Sequence, residues 1–371
     1  MASVTGLEGV VAAQTEIGHV DGERGHLVYR GQWAKDLAVS RGFEETAHLL
    51  WYGRLPDERE LSALKGRMAA ERAVPMELRR LLDALPAALP MMGALQAAAA
   101  ALADGSEPAW PPRADQAERV TALLPGIIAY RYRRLQGLAP VEPDAELDYA
   151  ANYLYMLTGR HPEPDHARAL TAYLVLGMEH GMNASTFAGR VALSTQAGLY
   201  PAVSAAIGTM GGPLHGGAPS EVIAMLEEIG TRDRAEAWLR EVLERGGRLM
   251  GFGHRIYKTV DPRAEALRSV TRGLTGDDPA FALALHVEET ATRLLAEYKP
   301  GRRLHTNVEF FAAAIMKAIA LPTSLFTPTF TAARVVGWTA HMLEQSGHNR
   351  IFRPQSAYVG AMPVEIADKI G

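Results

Sequence analysis

The sequence predicts a mainly α-helical protein, with a large helical domain and a smaller helical domain inserted into it. Three observations carry this. Apolar residues recur at spacings of three and four along most of the chain, the period of an amphipathic helix. Neither a strand–helix–strand alternation nor an internal repeat interrupts the pattern. The chain has 371 residues, more than one hydrophobic core readily organises, so two or three domains are expected.

The opening segment, to about Gly31, alternates short apolar and polar pieces. Val10-Val11-Ala12 and His26-Leu27-Val28-Tyr29 predict short strands before the turn at Arg30-Gly31. From Phe43 the period changes. Phe43, Ala47, Leu50 and Trp51 mark a helix that Gly53 and Pro56 end. Helices follow over Asp57 to about Arg72, Met76 to Leu85, and Met91 to Ala103. The last is Ala-rich with little polar surface, which predicts burial between other helices. After Pro108, Pro111 and Pro112 comes a helix from Ala114 to about Leu135, kinked near Pro125.

A Pro- and acid-rich link, Pro140 to Asp144, precedes the helix that contains Tyr153 to Met156. His161 to Asp165 punctuates again. Ala167 to about Gly181, Ala184 to about Gln196 and Pro201 to Met210 read as helices. Gly211 to Gly217, GGPLHGG, is a glycine-rich turn, and Ser220 is a candidate N-cap for a helix that Gly230 closes. Helices over Ala235 to Arg245, Arg263 to about Arg272, Asp278 to Tyr298, Asn307 to Ala320 and Thr329 to Gln345 complete the order. The loop at 211–219 and the break near Pro322 bound the inserted domain. The expected division is 1–216 with 322–371 for the large domain and 217–321 for the small one.

Composition narrows the function class. The net charge is −4, from 38 basic and 42 acidic residues, which argues against nucleic acid or an anionic membrane as partner. There is no cysteine, which excludes disulfides, thiolate metal sites and cysteine nucleophiles. No signal-peptide pattern and no apolar run long enough to span a bilayer is found, so the expected location is cytoplasmic. Asn occurs only at 152, 183, 307 and 349. So few amides and no cysteine fit a heat-stable protein, and GC-rich coding gives the same bias.

The chemistry concentrates in a few stretches. In MGFGHRIYKTVDPR, Gly251 and Gly253 permit a tight turn, followed by His254, Arg255, Lys258 and Arg263. This set suits an anion that undergoes proton transfer, although a solvated basic loop would look the same. His215 sits among four glycines, where a purely packed histidine needs none. Glu309 lies in the first turn of its helix, a place acids favour for dipole reasons as well as for service as a general base.

Phe330, Arg334, Trp338 and His341 share one helical face, and a buried Arg334 needs an anion, which an organic carboxylate supplies in bidentate fashion. Arg353 lies in a Pro-flanked loop. His180 follows an apolar helix and would serve equally as a cation at that helix's C-terminus. No HExxH or other short ligand spacing points to zinc. Several imidazoles and guanidiniums with one or two carboxylates suit carbon–carbon bond chemistry on a small polycarboxylate.

These stretches, GGPLHGG, MGFGHRIYKTVDPR, TNVEFF, LFTPTFTAARVVGW and NRIFRPQSAYVG, resemble the successive signature blocks of citrate synthases. YRG at 29–31 and EHGMNAST at 179–186 match as well, so the resemblance runs nearly end to end. It implies a homodimer whose two domains close over oxaloacetate before acetyl-CoA binds, with no metal or redox cofactor. Residue by residue, it implies that His215 polarises the thioester carbonyl and that His254 acts on the oxaloacetate carbonyl. His180, Arg263 and Arg334 match oxaloacetate-binding positions, and Arg353 the arginine given across the dimer interface. Leu249, Met250, Gly251, Phe252, Gly253 and Lys258 match the CoA-binding region, with Arg303 as a further phosphate contact.

The chain departs from the family at one point. The base that takes the methyl proton is usually Asp in an Asn-Val-Asp triplet, and here the triplet is Asn307-Val308-Glu309. One methylene moves the carboxylate by about 1.5 Å, and a misplacement of about 1 Å costs on the order of 100-fold when positioning carries catalysis. Other bacterial members carry the same triplet, which favours compensation by the backbone. A 2-methylcitrate synthase using propionyl-CoA, or a weakly active or non-catalytic oxaloacetate binder, are the alternative readings.

Overall fold

The structure is a computed structural model that describes residues 5–7, 9–103, 105, 110–215, 220–253, 257, 259–273, 279–301 and 304–361. Among them are sixteen α-helices and one three-stranded sheet. The sheet is an antiparallel meander of β1 (Gly18–Asp21), β2 (His26–Tyr29) and β3 (Gln32–Trp33), with Gly18 opposite Tyr29 and Val28 opposite Trp33. Asp21 builds the first turn, its Oδ1 accepting the N–H groups of Glu23 and Arg24, both at 3.1 Å. Val10 to Ala12 is not a strand. Val11 is 84% exposed, and the partner of His26–Tyr29 is the segment that this turn folds back upon it.

The helices are α1 (Ala34–Ser40), α2 (Phe43–Tyr52), α3 (Glu58–Glu71), α4 (Met76–Ala84), α5 (Met91–Ala101), α6 (Ala114–Leu135), α7 (Tyr149–Thr158), α8 (Pro164–Gly177), α9 (Ala184–Ser194), α10 (Leu199–Met210), α11 (Ser220–Ile229), α12 (Arg232–Glu244), α13 (Pro262–Gly273), α14 (Pro279–Tyr298), α15 (Val308–Ala318) and α16 (Phe326–Gly347). The order matches the periodicity, and the starts differ in an instructive way. α8 and α13 begin on Pro164 and Pro262, and α16 carries Pro328 in its first turn. The first N–H groups of a helix have no intrahelical partner, so proline costs nothing there. α8 ends at Gly177 rather than Gly181, because the Glu179 carboxylate accepts the Gly181 N–H at 2.6 Å and turns the chain. α6 runs unbroken through Pro125. The Thr121 carbonyl, which Pro125 cannot serve, accepts from the Tyr149 hydroxyl at 3.1 Å instead.

α16 is the axis of the first part of the molecule. It is buried along most of its length and packs against α2, α5, α6, α8, α9 and α10. Each large apolar side chain it buries, such as Trp338, contributes about 1.5–3 kcal/mol relative to exposure. α9 and α10 pair on one flank. The later helices form their own contacts, α12 on α14, and α13 and α14 on α15. α13 and α15 also reach back to α8, which brings α8, α13, α15 and α16 to one place.

Candidate active site

α8 and α16 cross at two glycines. A Cβ at Gly337 would collide with the Met178 carbonyl oxygen, and one at Gly177 would stand 3.0 Å from the Ala333 Cβ. This close crossing lets Arg334 donate from Nε to the Gly177 carbonyl at 2.7 Å. Its guanidinium lies 4.7 Å from the Phe330 ring centroid and is 2% exposed. Among the described residues no carboxylate stands within ion-pair distance of it. Burial draws its pKa below the usual guanidinium value and the Arg263 charge adds to the fall, while Glu179 opposes both. The predicted stripe is real, with Trp338 and His341 buried on the same helix.

His215 closes the turn after α10, its N–H donating to the Gly212 carbonyl at 3.0 Å. The Ser185 backbone N–H donates to His215 Nε2 at 3.2 Å, and the Ser185 hydroxyl lies 2.7 Å from the same nitrogen. A backbone N–H only donates, so Nε2 is the acceptor and the ring proton sits on Nδ1. Burial lowers the His215 pKa, and the Arg334 charge lowers it further. The N-terminus of α9 acts in the same sense on the ring. The result is a neutral imidazole with an N–H to offer. Ser185 is held by Trp338, whose Nε1 donates to Oγ at 3.0 Å, and by Asn183, the α9 N-cap, at 2.8 Å.

Arg263 is the second residue of α13 and 7% exposed. It donates from Nε and Nη2 to Asp261 at 3.1 and 2.9 Å, with its guanidinium 5.5 Å from the Tyr257 ring centroid. The charge and hydrogen bonds of Asp261 outweigh burial and raise the Arg263 pKa. Tyr257 in turn lies 3.0 Å from His180 Nε2 through its hydroxyl. His180 therefore faces this cluster rather than the end of α8.

Glu309 is the second residue of α15. Its Oε2 is enclosed and has no hydrogen-bond partner among the described residues. Burial raises its pKa, and the Arg263 charge pulls the other way. The α15 start is tied to the Gly251–Gly253 turn: Asn307 N–H donates to the Gly251 carbonyl at 2.9 Å and Gly253 N–H to the His305 carbonyl at 2.7 Å. Both glycines have φ 85°. The close approach at Gly251 is to Phe310, whose Cβ would lie 2.8 Å from an added Cβ. Leu249 and Phe252 are core side chains, and Met250 packs partly buried against the same core.

The structure thus brings His180, His215, Arg263, Glu309 and Arg334 together. Arg353 stands apart, exposed beyond α16, in the wall of a cavity of about 660 Å³ that Phe187, Arg190 and Glu344 also line. No other candidate among the described residues lines that cavity. His254, Lys258 and Arg303 lie outside the described residues. Sequence reading missed Asp261, Ser185 and Tyr257. Asp261 before Pro262 was detectable as an N-cap, but its pairing with Arg263 and Val308 was not.

A model of the citrate synthase family, described as its C-terminal domain, matches residues 6–355. The chain is 39% identical over 362 residues to a citrate synthase of Synechocystis, covering 96% of this chain and 90% of that one. The chain belongs to the citrate synthase family. It is also 35% identical to a 2-methylcitrate synthase of Shewanella oneidensis, over 97% of this chain and 96% of that one. Among solved structures, a citrate synthase from Thermoplasma acidophilum, in ternary complex with carboxymethyl coenzyme A and oxaloacetate, superposes with a TM-score of 0.83. It is 30% identical and the match covers 97% of this chain and 98% of that one. As a member of the citrate synthase family the chain is an acyltransferase with that family's all-α fold. No helix among the described residues is long and apolar enough to cross a membrane.

Proposed function

We propose that the chain condenses acetyl-CoA with oxaloacetate and hydrolyses citryl-CoA to citrate and CoA. The observation that carries this is the buried Arg334 guanidinium, which has no carboxylate partner among the described residues and feels the charge of Arg263, as His215 feels that of Arg334 and Glu309 that of Arg263. A buried cation of that kind calls for an anionic ligand. Oxaloacetate brings two carboxylates, for Arg263, Arg334 and His180.

In this reading Glu309 takes a proton from the acetyl-CoA methyl while the His215 Nδ1–H donates to the thioester oxygen. A thioester methyl is a weak acid, so removing the proton and stabilising the developing charge on oxygen must coincide. The enol carbon then forms a bond to the keto carbon of oxaloacetate, whose oxygen receives a proton from His254. Water cleaves the thioester of citryl-CoA and CoA leaves. No metal or redox cofactor takes part. The CoA nucleotide would lie along the backbone of Leu249 to Gly253, with Lys258 and Arg303 on its phosphates. The small domain, 217–321, would close on the large one to keep water out until condensation is complete. The position of Arg353, away from the cluster of its own chain, supports a homodimer that supplies it to the partner's site. Such an enzyme would work in the cytoplasm.

The experiment is release of CoA thiol with oxaloacetate and either acetyl-CoA or propionyl-CoA. The chain contains no cysteine, so CoA is the only thiol formed. Faster release from acetyl-CoA supports the proposal. A propionyl-CoA preference moves the chain to 2-methylcitrate synthase, and oxaloacetate binding without thiol release makes it a non-catalytic binder.

A further inference from the structure

Behind the site runs a buried polar chain that the reaction above does not use. Glu179, wholly buried, accepts the Gly181 N–H on Oε1 and meets His341 Nε2 at 3.1 Å through Oε2. His341 Nδ1 lies 2.8 Å from an Arg190 N–H, and Arg190 also binds Glu344 at 2.8 Å and Gln345 at 3.1 Å. Arginine only donates, so His341 Nδ1 accepts, and its proton sits on Nε2 and points at Glu179. Arg190 therefore fixes which nitrogen of His341 faces the carboxylate with a proton.

This matters because of Arg334. Glu179 is close enough for its charge to be felt at that guanidinium, yet the two make no ion pair. A carboxylate facing an uncompensated buried cation is attracted to it, and something must hold it back. Two features do. The carboxylate is walled in where an added Cβ at Gly18 would stand 2.9 Å from Oε1 and one at Gly337 2.8 Å from Oε2. Its outer oxygen is held by the His341 N–H.

We infer that His341, oriented by Arg190, is a positioning residue that withholds Glu179 from Arg334 and so keeps that guanidinium open to a substrate carboxylate. The inference rests on the proposed role of Arg334. Without the Nε2–H donor, Glu179 turns to Arg334, and oxaloacetate has to displace it.

The test uses two amides. Glutamine places a donor near the position of imidazole Nε2, and asparagine places its amide near that of Nδ1. His341→Gln keeps the bond to Glu179, whereas His341→Asn keeps only the bond to Arg190. Both are polar and both are expected to lower Tm to a similar degree. Oxaloacetate affinity is measured by titration calorimetry on the full-length protein, and turnover at saturating oxaloacetate. His341→Gln should bind within about two-fold of the parent. His341→Asn should bind about ten-fold more weakly, the scale of one lost charge-assisted hydrogen bond. The asparagine variant's KM for oxaloacetate should rise with kcat nearly unchanged. Equal affinity in the two variants overturns the inference, whether both match the parent or both weaken alike. If the parent itself binds no oxaloacetate, the proposed function fails instead.

Discussion

Asp261 binds Arg263 through two guanidinium nitrogens, at 3.1 and 2.9 Å, and with the same carboxylate accepts the Val308 N–H at 3.1 Å. One buried side chain thus sets both a proposed carboxylate-binding cation and the first residue of α15, which places Glu309. The proposed oxaloacetate and acetyl-CoA halves of the site share a single anchor. Asp261→Asn leaves Arg263 as a buried charge without its counter-charge, a loss of about 3 kcal/mol in stability. Chemical denaturation of both chains measures it. A change under about 0.5 kcal/mol, the range of ordinary surface substitutions, would show that Asp261 is not the anchor.

Ser185 meets His215 Nε2 with its hydroxyl at 2.7 Å and with its backbone N–H at 3.2 Å. Ser185→Ala removes only the first, so the acceptor role of Nε2 and the neutral ring survive. The expected outcome is a kcat lower by about ten-fold, from a less firmly held ring, with KM for oxaloacetate unchanged. Steady-state kinetics at fixed pH decide it. A rise in KM for oxaloacetate at constant kcat would place Ser185 in substrate binding instead.

Glu309 makes a prediction about pH. Its folded pKa is raised, chiefly by burial, so its contribution to stability is present below the unfolded carboxylate value and is lost as pH rises through the folded one. At neutral pH the ionised side chain is a cost. Glu309→Gln should therefore have a higher Tm than the parent at pH 7, and the difference should vanish below about pH 4, under the unfolded pKa of glutamate. Melting curves across pH test the sign. A parent more stable than the variant at pH 7 contradicts a buried, destabilised base.

Arg353 tests the assembly. If each site takes Arg353 from the partner, Arg353→Ala and Glu309→Gln chains complement one another. Re-association of equal amounts gives half heterodimers, each with one intact site, so about one quarter of the parent activity returns. Each variant alone should stay inactive. An Arg353 that serves its own chain gives no recovery on mixing.

Much of this was legible in the sequence, and the misses have physical causes. Helices with three- and four-residue periods were readable wherever one face is buried. Their starts at Pro164 and Pro262 were obscured because proline breaks a helix interior but suits its first turn. α1 has only seven residues, too few to show a period. Arg334 and the Phe330–His341 stripe were visible because one helix carries them all. The pairing of Asp261 with Val308, of Ser185 with His215 and of His341 with Glu179 joins residues far apart in the chain, and no local pattern encodes such contacts.

Glu309 is the proposed base of a condensation carried out where Arg263, Arg334 and His215 meet. The most direct measurement is CoA thiol release from acetyl-CoA and oxaloacetate by the parent and by Glu309→Gln, alongside oxaloacetate affinity for each. Turnover is expected to fall by about 1,000-fold or more while oxaloacetate binds as before. Turnover within about ten-fold of the parent, less than a positioned base contributes, would contradict it.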